Sequence, residues 1–339
     1  MSMDDLFLDA ARQLLTDQCT PQQVRAIESG GSPQAMWGFI EAAGFADALV
    51  PEAQGGAGLS LAQVFGVFEL CGSFVLPVPL AETMLARALL AQAGADRPAG
   101  SLALAQGRRT ADGGLLCDAV RLGRVADMVL AASDAGWYVL PAALAKTAPA
   151  AFCLDASLQW TAAQLTAAVC VHVPLAEHCD VRTLQACLYA AQLSGALSAV
   201  FQRTLQYAND RIQFGRPIGK FQAIQHQLAV MSEHVFAARM AAQLGCSSDG
   251  VVPDRLRVAV AKARASEAAL VVAELSHSIH GAIGFTEEYD LQLFTRRLHA
   301  WRQTAGSESY WHSVAGACLV DQHRGLTLDL IRETTDSLS

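Results

Sequence analysis

The stretch Arg211–Gln225 reads Arg-Ile-Gln-Phe-Gly-Arg-Pro-Ile-Gly-Lys-Phe-Gln-Ala-Ile-Gln. It gathers a guanidinium at Arg211, a ring at Phe214 and amides at Gln213, Gln222 and Gln225. A guanidinium held at a turn suits a bidentate phosphate contact, or a surface ion pair. A second group runs His277-Ser278-Ile279-His280-Gly281-Ala282-Ile283-Gly284-Phe285. Here Gly281 and Gly284 stop a helix and let a ligand approach the backbone. His277 and His280 form an H-x-x-H pair. No cysteine or carboxylate completes a ligand set at usual spacing, so no metal is expected. The chain has nine cysteines and no C-x-x-C pair, which reads as reduced, buried small hydrophobes.

The elements around these groups follow from hydrophobic periodicity. Leu184, Cys187, Leu188, Ala191, Gly195, Val200, Phe201, Leu205 and Ala208 recur mostly at three- or four-residue steps. Ile224, Leu228, Met231, Val235, Ala238 and Ala242 continue the rhythm after the Arg211 stretch, so both flanks are helices. Gly215, Pro217 and Gly219 forbid one continuous helix, which leaves an ordered turn between two antiparallel ones. Asp254 is placed to cap a helix that runs past Lys262 to His280. Residues 1–98 also read as helical. Leu6, Ala10, Leu14 and Cys19 mark the first face, Pro21 follows the cap Thr20, and Ser60 caps a helix from Leu61. Between 99 and 179 the character changes. Short apolar runs at Ser101–Ala105, Met128–Ala132, Gly136–Pro141 and Val169–Val173 are separated by turn residues, which predicts a small β domain.

Composition narrows the function classes. The 339 residues are 52% hydrophobic and 17% charged, with a net charge of −8, enough for a large core in two or three domains. There is no basic stripe to bind nucleic acid. No uninterrupted apolar run spans a bilayer. The acidic start Met1-Ser2-Met3-Asp4-Asp5 does not resemble a secretory signal, so a cytoplasmic location is expected.

Three motifs, in order, carry a resemblance to the acyl-CoA dehydrogenase family. Trp37-x-x-Ile40, then Val50-Pro51-Glu52-x-x-Gly55-Gly56-x-Gly58-Leu59-Ser60, then Pro79-Leu80-x-x-Thr83 resembles its N-terminal helical domain. Arg211-x-x-Phe214-Gly215 with Ile218-x-x-Phe221-Gln222 resembles its signature turn. Ile279, Gly281, Gly284, Phe285, Glu288 and Tyr289 match its Gly-rich segment, with Ser278 in place of Gln and Ala282 in place of Gly. The resemblance implies a mainly α fold with a small β domain. It divides into an N-terminal helical domain (1–98), an abbreviated central β-barrel (99–179) and a C-terminal four-helix bundle (180–339). It also implies FAD as cofactor, contacted across a subunit interface by Arg211, Gln213, Phe214, Ile218, Gln222, Ser278, Gly281, Ala282 and Ser307.

The resemblance implies oxidation of an acyl-CoA thioester, in which a carboxylate removes the α-proton while hydride leaves Cβ for the flavin. Here the chain departs from the family. The usual Glu position falls on Ala305, and the alternative position in the preceding helix falls near Gln185. The Thr-Glu-Pro and Gly-Ser-Asp segments that line the flavin ring are missing after Leu104. Glu308 is the remaining carboxylate candidate. The pattern resembles a base-lacking subunit of a heteromeric bacterial acyl-CoA dehydrogenase acting on bulky thioesters. The expected partners are an acyl-CoA, a second such subunit in a dimer of dimers, and electron-transfer flavoprotein as acceptor. Two alternatives stay open: a self-sufficient homo-oligomer with a displaced base, and a structural partner without flavin contact.

Overall fold

The computed structural model describes residues 3–176, 178–323 and 325–335. In chain order, α1 (Met3–Gln18), α2 (Pro21–Glu28), α3 (Gln34–Ala42), α4 (Leu61–Ser73) and α5 (Leu80–Gln92) come first. Strands follow: β1 (Leu102–Arg109), β2 (Leu115–Val120), β3 (Met128–Ser133), β4 (Gly136–Pro141), β5 (Lys146–Pro149) and β6 (Ala156–Trp160). Short α6 (Ala162–Ala167) and β7 (Val169–Val171) close this section. Long helices take over with α7 (Val181–Asp210), β8 (Ile212–Gln213), β9 (Arg216–Pro217), α8 (Gln222–Gly245), α9 (Arg255–His280), α10 (Leu291–Gln303), α11 (Glu308–Ala317) and α12 (Thr327–Thr335). The chain forms two compact units. One comprises Met1–Val67, Leu76–Gln185 and Ser248–Val252; the other comprises Phe68–Val75, Ala186–Ser247 and Pro253–Ser339.

In the first unit, helix starts follow the sequence. Thr20 and Gln23 form a reciprocal capping box with Pro21 at the first helical position, and Ser60 and Gln63 do the same for α4. The α1 face differs from expectation. Leu6 and Ala10 are exposed, whereas Ala11 and Leu15 are buried; Cys19 is buried as expected. The helix offers two apolar stripes one residue apart. The Phe7–Phe45 ring contact at 5.0 Å and the packing of Leu8 against Gly66 select the second. Seven strands form one sheet in the order β5-β6-β2-β1-β3-β4-β7. The β1–β3 pair is parallel and its neighbours are antiparallel. Beyond the four strands expected, β2, β5 and β6 complete the sheet. Ala103, Leu115, Cys117, Val129, Leu140, Leu158, Trp160 and Leu165 share one core. Thr83 joins helix and sheet, accepting from the Leu102 N–H at 2.8 Å and donating to the Pro79 carbonyl at 2.7 Å.

In the second unit, Leu228, Met231, Val235, Ala238 and Ala242 of α8 are buried as their spacing predicts. The 186–200 stretch of α7 is buried on nearly all sides. Its Gly195 is required by contact: a Cβ there would lie 1.9 Å from the Glu69 carbonyl oxygen of α4. Glu69 also accepts from Ser194 and from the Arg239 fork. By length and composition, α7 and α9 each match a membrane span. Most of the α7 stretch is buried inside the protein, which is the pattern of a core helix. None of the nine cysteines forms a disulfide. Cys19, Cys71, Cys117, Cys187 and Cys246 are buried as expected, but Cys170 is exposed on the sheet-edge strand β7.

Candidate functional site

The Arg211 stretch folds as a two-residue hairpin. Ile212 pairs with Pro217 and Gln213 with Arg216. Phe214 (φ 52) and Gly215 (φ 79) form the tip. Two consecutive left-handed residues give the turn whose twist suits a tight hairpin. Below the tip, the Ile218 N–H donates to the Arg211 carbonyl at 2.8 Å and the Arg211 N–H to the Tyr207 carbonyl at 2.9 Å. Ile218 is buried and anchors the turn. The Arg216 guanidinium lies 4.3 Å over the Phe221 ring, and Phe214 meets that ring edge-on at 6.2 Å. Phe214 nevertheless remains 92% exposed. Arg211, Gln213 and Gln222 are exposed too, and Arg211 makes no ion pair among the described residues.

The C-terminal end of α9 packs beside this hairpin. Tyr207, one turn before Arg211, stacks on His280 with centroids 4.4 Å apart, and its hydroxyl reaches the His280 carbonyl at 3.4 Å. The His280 Nδ1 lies 2.7 Å from the Ser276 carbonyl and Nε2 lies 3.2 Å from the Tyr289 hydroxyl. The carbonyl only accepts, so Nδ1 carries the proton and Tyr289 donates to Nε2. His277 turns elsewhere, stacking on Phe285 at 4.3 Å and meeting Thr295 Oγ1 at 3.0 Å. Burial holds both imidazoles below the usual histidine range, assisted by charge repulsion from His299 at His277 and from His277 at His280. The two histidines therefore serve separate contacts. Exposed Ser278 accepts from Gln227 Nε2 at 3.4 Å. Gly281 leaves α9 at φ 65, ψ −145, with open space where a Cβ would stand. Exposed Ala282, Ile283 and Phe285 follow.

Ala305 and Ser307 belong to a different place. The turn Thr304–Ser307 joins α10 to α11, with Ala305 at φ 57 and Gly306 at φ 102. Lys262 of α9, fully buried, donates from Nζ to the carbonyls of Arg302 and Gly306, each at 2.9 Å, and to Ser266 Oγ at 3.0 Å. Trp311 Nε1 donates to the Ala305 carbonyl at 3.0 Å. Burial drives Lys262 from 10.5 down to about 7, partly countered by Glu308. The Glu308 carboxylate is paired with Arg302. Burial raises its pKa, but its own backbone N–H, Arg302 and Lys262 pull harder, so it titrates below 4.5. Ser307 is the N-cap residue of α11 and makes no side-chain cap bond. Lys262 and Ser278 are roughly four turns apart on α9, about 24 Å at 1.5 Å per residue. The hairpin segment thus carries Arg211, Gln213, Phe214 and Gln222, with Ile218 buried beneath it; the end of α9 carries Ser278, Gly281 and Ala282; the Tyr207–His280 stack joins the two, and Ser307 lies apart.

Sequence reasoning gave no role to Tyr207, Lys262 or Trp311, and read His280 only as half of an H-x-x-H pair and Tyr289 only as a motif match. Lys262 left a signal: it stands on the apolar stripe of Val258, Ala261, Ala265 and Ala269, where a charge needs buried partners.

In the first unit, β1 passes into β2 through a tight turn. The Thr110 N–H donates to the Gly114 carbonyl at 3.0 Å, and the Gly113 N–H to the Thr110 carbonyl at 2.9 Å. This hairpin occupies the chain position where the sequence resemblance leads one to expect a flavin-lining segment. Gln185, near which the resemblance would put the alternative base, donates from Nε2 to the Leu104 carbonyl at 2.9 Å.

Comparison with known proteins places the chain in a family. The family model described as acyl-CoA dehydrogenase, N-terminal domain, matches residues 3–97, and that described as acyl-CoA dehydrogenase, C-terminal domain, matches residues 183–314. The acyl-CoA dehydrogenase IpdE2 of Mycobacterium tuberculosis (strain ATCC 25618 / H37Rv) is 34% identical over 304 residues, covering 87% of this chain and 90% of the relative. Among solved structures, the steroid acyl-CoA dehydrogenase Tcur3481-Tcur3483, in a variant form, superposes with a TM-score of 0.79. It is 25% identical over 99% of both chains. A chain of the ChsE4-ChsE5 complex from Mycobacterium tuberculosis gives 0.78 at 21% identity, covering 95% of this chain and 99% of that one, a likeness of fold. The two family models together match more than half of the chain, and the chain belongs to the acyl-CoA dehydrogenase family.

Proposed function

We propose that this chain is the base-lacking subunit of a heteromeric acyl-CoA dehydrogenase, and that its Arg211 and Gly281 segments complete an FAD site whose flavin-ring pocket and catalytic carboxylate lie on a second subunit. One observation carries the reading: the two turns have opposite states. The Arg211 hairpin presents an exposed guanidinium, an exposed ring and, nearby, the open cradle at Gly281. The Ala305 turn has no carboxylate, and Lys262, Trp311, Arg302 and Glu308 are bonded to one another or to its backbone.

The residues of the first cluster fit the phosphate-bearing half of FAD. Arg211 offers a bidentate fork, Gln213, Gln222 and Ser278 offer hydrogen bonds, and Gly281 and Ala282 allow backbone approach. The residues near β1 do not fit the flavin ring, because a closed hairpin stands where a lining segment would be. Bound FAD would supply the hydride acceptor for the Cβ–H bond. Glu308 is a poor base. A carboxylate that removes an α-proton needs a raised pKa and room for substrate, whereas this one is ion-paired and lowered. The substrate class in this reading is a bulky acyl-CoA of the kind the steroid relative's name indicates, with electron-transfer flavoprotein taking the electrons.

The test is the visible spectrum of the chain purified alone and co-expressed with a second acyl-CoA dehydrogenase subunit. The expected result is a colourless chain that becomes yellow only in the complex. A chain that retains stoichiometric FAD when alone overturns the proposal.

A further inference from the structure

The flavin-facing cluster combines two chain segments that are far apart in sequence, the hairpin after α7 and the glycine segment after α9. The described side-chain packing between them centres on one ring. His280 is almost fully buried. Tyr207 covers one face at 4.4 Å with an interplanar angle of 24°. Tyr289 closes the edge, its ring 5.2 Å away and its hydroxyl 3.2 Å from Nε2. Tyr207 is tied to the hairpin because its carbonyl accepts the Arg211 N–H. Tyr289 follows the glycine segment directly, and its ring meets Tyr207 edge-on at 6.2 Å.

We propose that His280 is the positioning residue that locks the Arg211 hairpin to the Gly281 segment, and that adding a proton to its Nε2 opens the lock. The inference rests on the half-site reading for its purpose, though not for its test. The reason is the donor balance. Nδ1 already donates to the Ser276 carbonyl. In the neutral ring, Nε2 has a lone pair that accepts from Tyr289. In the imidazolium, Nε2 carries a hydrogen and can only donate, so the tyrosine must rotate and accept. Charged groups facing the ring do not compensate. His277 is on the same helix, and Arg203 on α7 lies near Tyr289. Asp210 of α7 and Asp290 of the following loop act on Tyr289, but Asp290 is paired with Arg203 at 3.7 Å and Asp210 accepts from Gln206. The held state therefore favours the neutral ring, in line with its lowered pKa. A histidine lowered in this way stabilises the closed arrangement fully above its ordinary value of 6.5. That contribution falls away as the pH drops below 6.5.

The Arg211–Ile212 peptide bond reports the lock without any flavin. It is an exposed trypsin site, and cleavage at such a site requires local opening. The full-length chain is treated with trypsin between pH 5.5 and 8, with cleavage at Arg211 normalised to a short arginine peptide. The expected result is cleavage that rises as the pH falls below 6.5, by about tenfold for each unit by which the open ring binds its proton more tightly than the closed one. In His280→Phe, which keeps a ring against Tyr207 but cannot take a proton, the normalised profile is expected to be flat. Tyr207→Leu is expected to raise cleavage at every pH, and covers the case in which His280→Phe does not fold. A wild-type profile without pH dependence, or the same dependence in His280→Phe, overturns the proposal. Flavin retention in the Arg211→Ala complex is read separately. Its failure to change would remove the half-site reading, while the cleavage profile alone decides the lock.

Discussion

The turns at Phe214–Gly215 and Ala305–Gly306 share a local design. Each joins two helices, and each places a residue with a Cβ and then a glycine in left-handed backbone. Their surroundings differ. Around Ala305 the backbone carbonyls are taken by Lys262 and Trp311, and Glu308 is held by Arg302. Around Phe214 the ring is 92% exposed and the nearby guanidinium has no ion-pair partner among the described residues. An exposed aromatic in a strained conformation is a cost that the isolated chain does not recover. Such strain persists where something outside the local structure selects it. The comparison separates a turn whose groups are bonded within the chain from a turn whose groups stay exposed, which is the difference the proposed half-site draws on.

The largest expected effect tests the closed side. In Lys262→Met the side-chain volume remains, but the Arg302 and Gly306 carbonyls lose their donor. The expected loss is about 3 kcal/mol, since each buried unsatisfied group costs on the order of 1–3 kcal/mol. Thermal unfolding at pH 8 measures it. The pH dependence supplies a second check. Lys262 is lowered from 10.5 to about 7 in the folded chain. Between those values the unfolded chain binds the extra proton, so this group's contribution to stability rises with pH from 7 to 10.5. Lys262→Met should remove that rise, and a variant with the wild-type slope would contradict the assignment.

Next in size is the open side. Arg211→Ala should lower the flavin retained by the co-purified complex by about tenfold or more, the scale of one lost charge-assisted contact. The same substitution should shift the melting temperature of the isolated chain very little, because Arg211 is exposed. A large loss of stability without loss of flavin would reverse the comparison. Glu308→Gln is smaller still. Glu308 titrates below 4.5 when folded, so its contribution is present above that value and lost as the pH falls through its folded pKa. The variant should cost about 1 kcal/mol at pH 7 and leave turnover of the complex unchanged. Abolished turnover with flavin still bound would restore Glu308 as the base.

How far the sequence reached differs between the same two places. The Arg211 hairpin was legible because its glycines and proline interrupt two periodic helices, and a turn is a local event. Caps such as Thr20, Ser60 and Asp254 were legible for the same reason. Strands β2 and β6 were not, because Leu115–Val120 and Ala156–Trp160 mix polar residues with apolar ones at a period that only a neighbouring strand makes meaningful. The α1 face was misplaced because Leu6, Ala10 and Leu14 are as regular as Leu8, Ala11 and Leu15. Only Phe45 and Gly66, distant in sequence, distinguish them. That the resemblance puts its usual carboxylate position on Ala305 was visible by counting. The lysine that holds that turn was visible only as a charge on an apolar stripe, and the His280 stack, made across 73 residues, left no local sign.

The smallest expected effect distinguishes the two turns most directly. Replacing a left-handed residue by glycine relieves about 1 kcal/mol of backbone strain and gives back part of it as unfolded-state entropy. Ala305→Gly should therefore stabilise the chain by at most about 1 kcal/mol, with Lys262 and Trp311 still bonded to the turn and flavin retention unchanged. Phe214→Gly should stabilise the isolated chain by a similar amount, helped by removing an exposed ring. It should also weaken flavin retention in the complex, because the ring that imposes the strain is the group offered to the partner. Stability rising at both turns while flavin falls at only one is the expected outcome. If Phe214→Gly leaves flavin unaffected, the exposed ring serves subunit packing, and the ligand contact rests on Arg211 and Gly281.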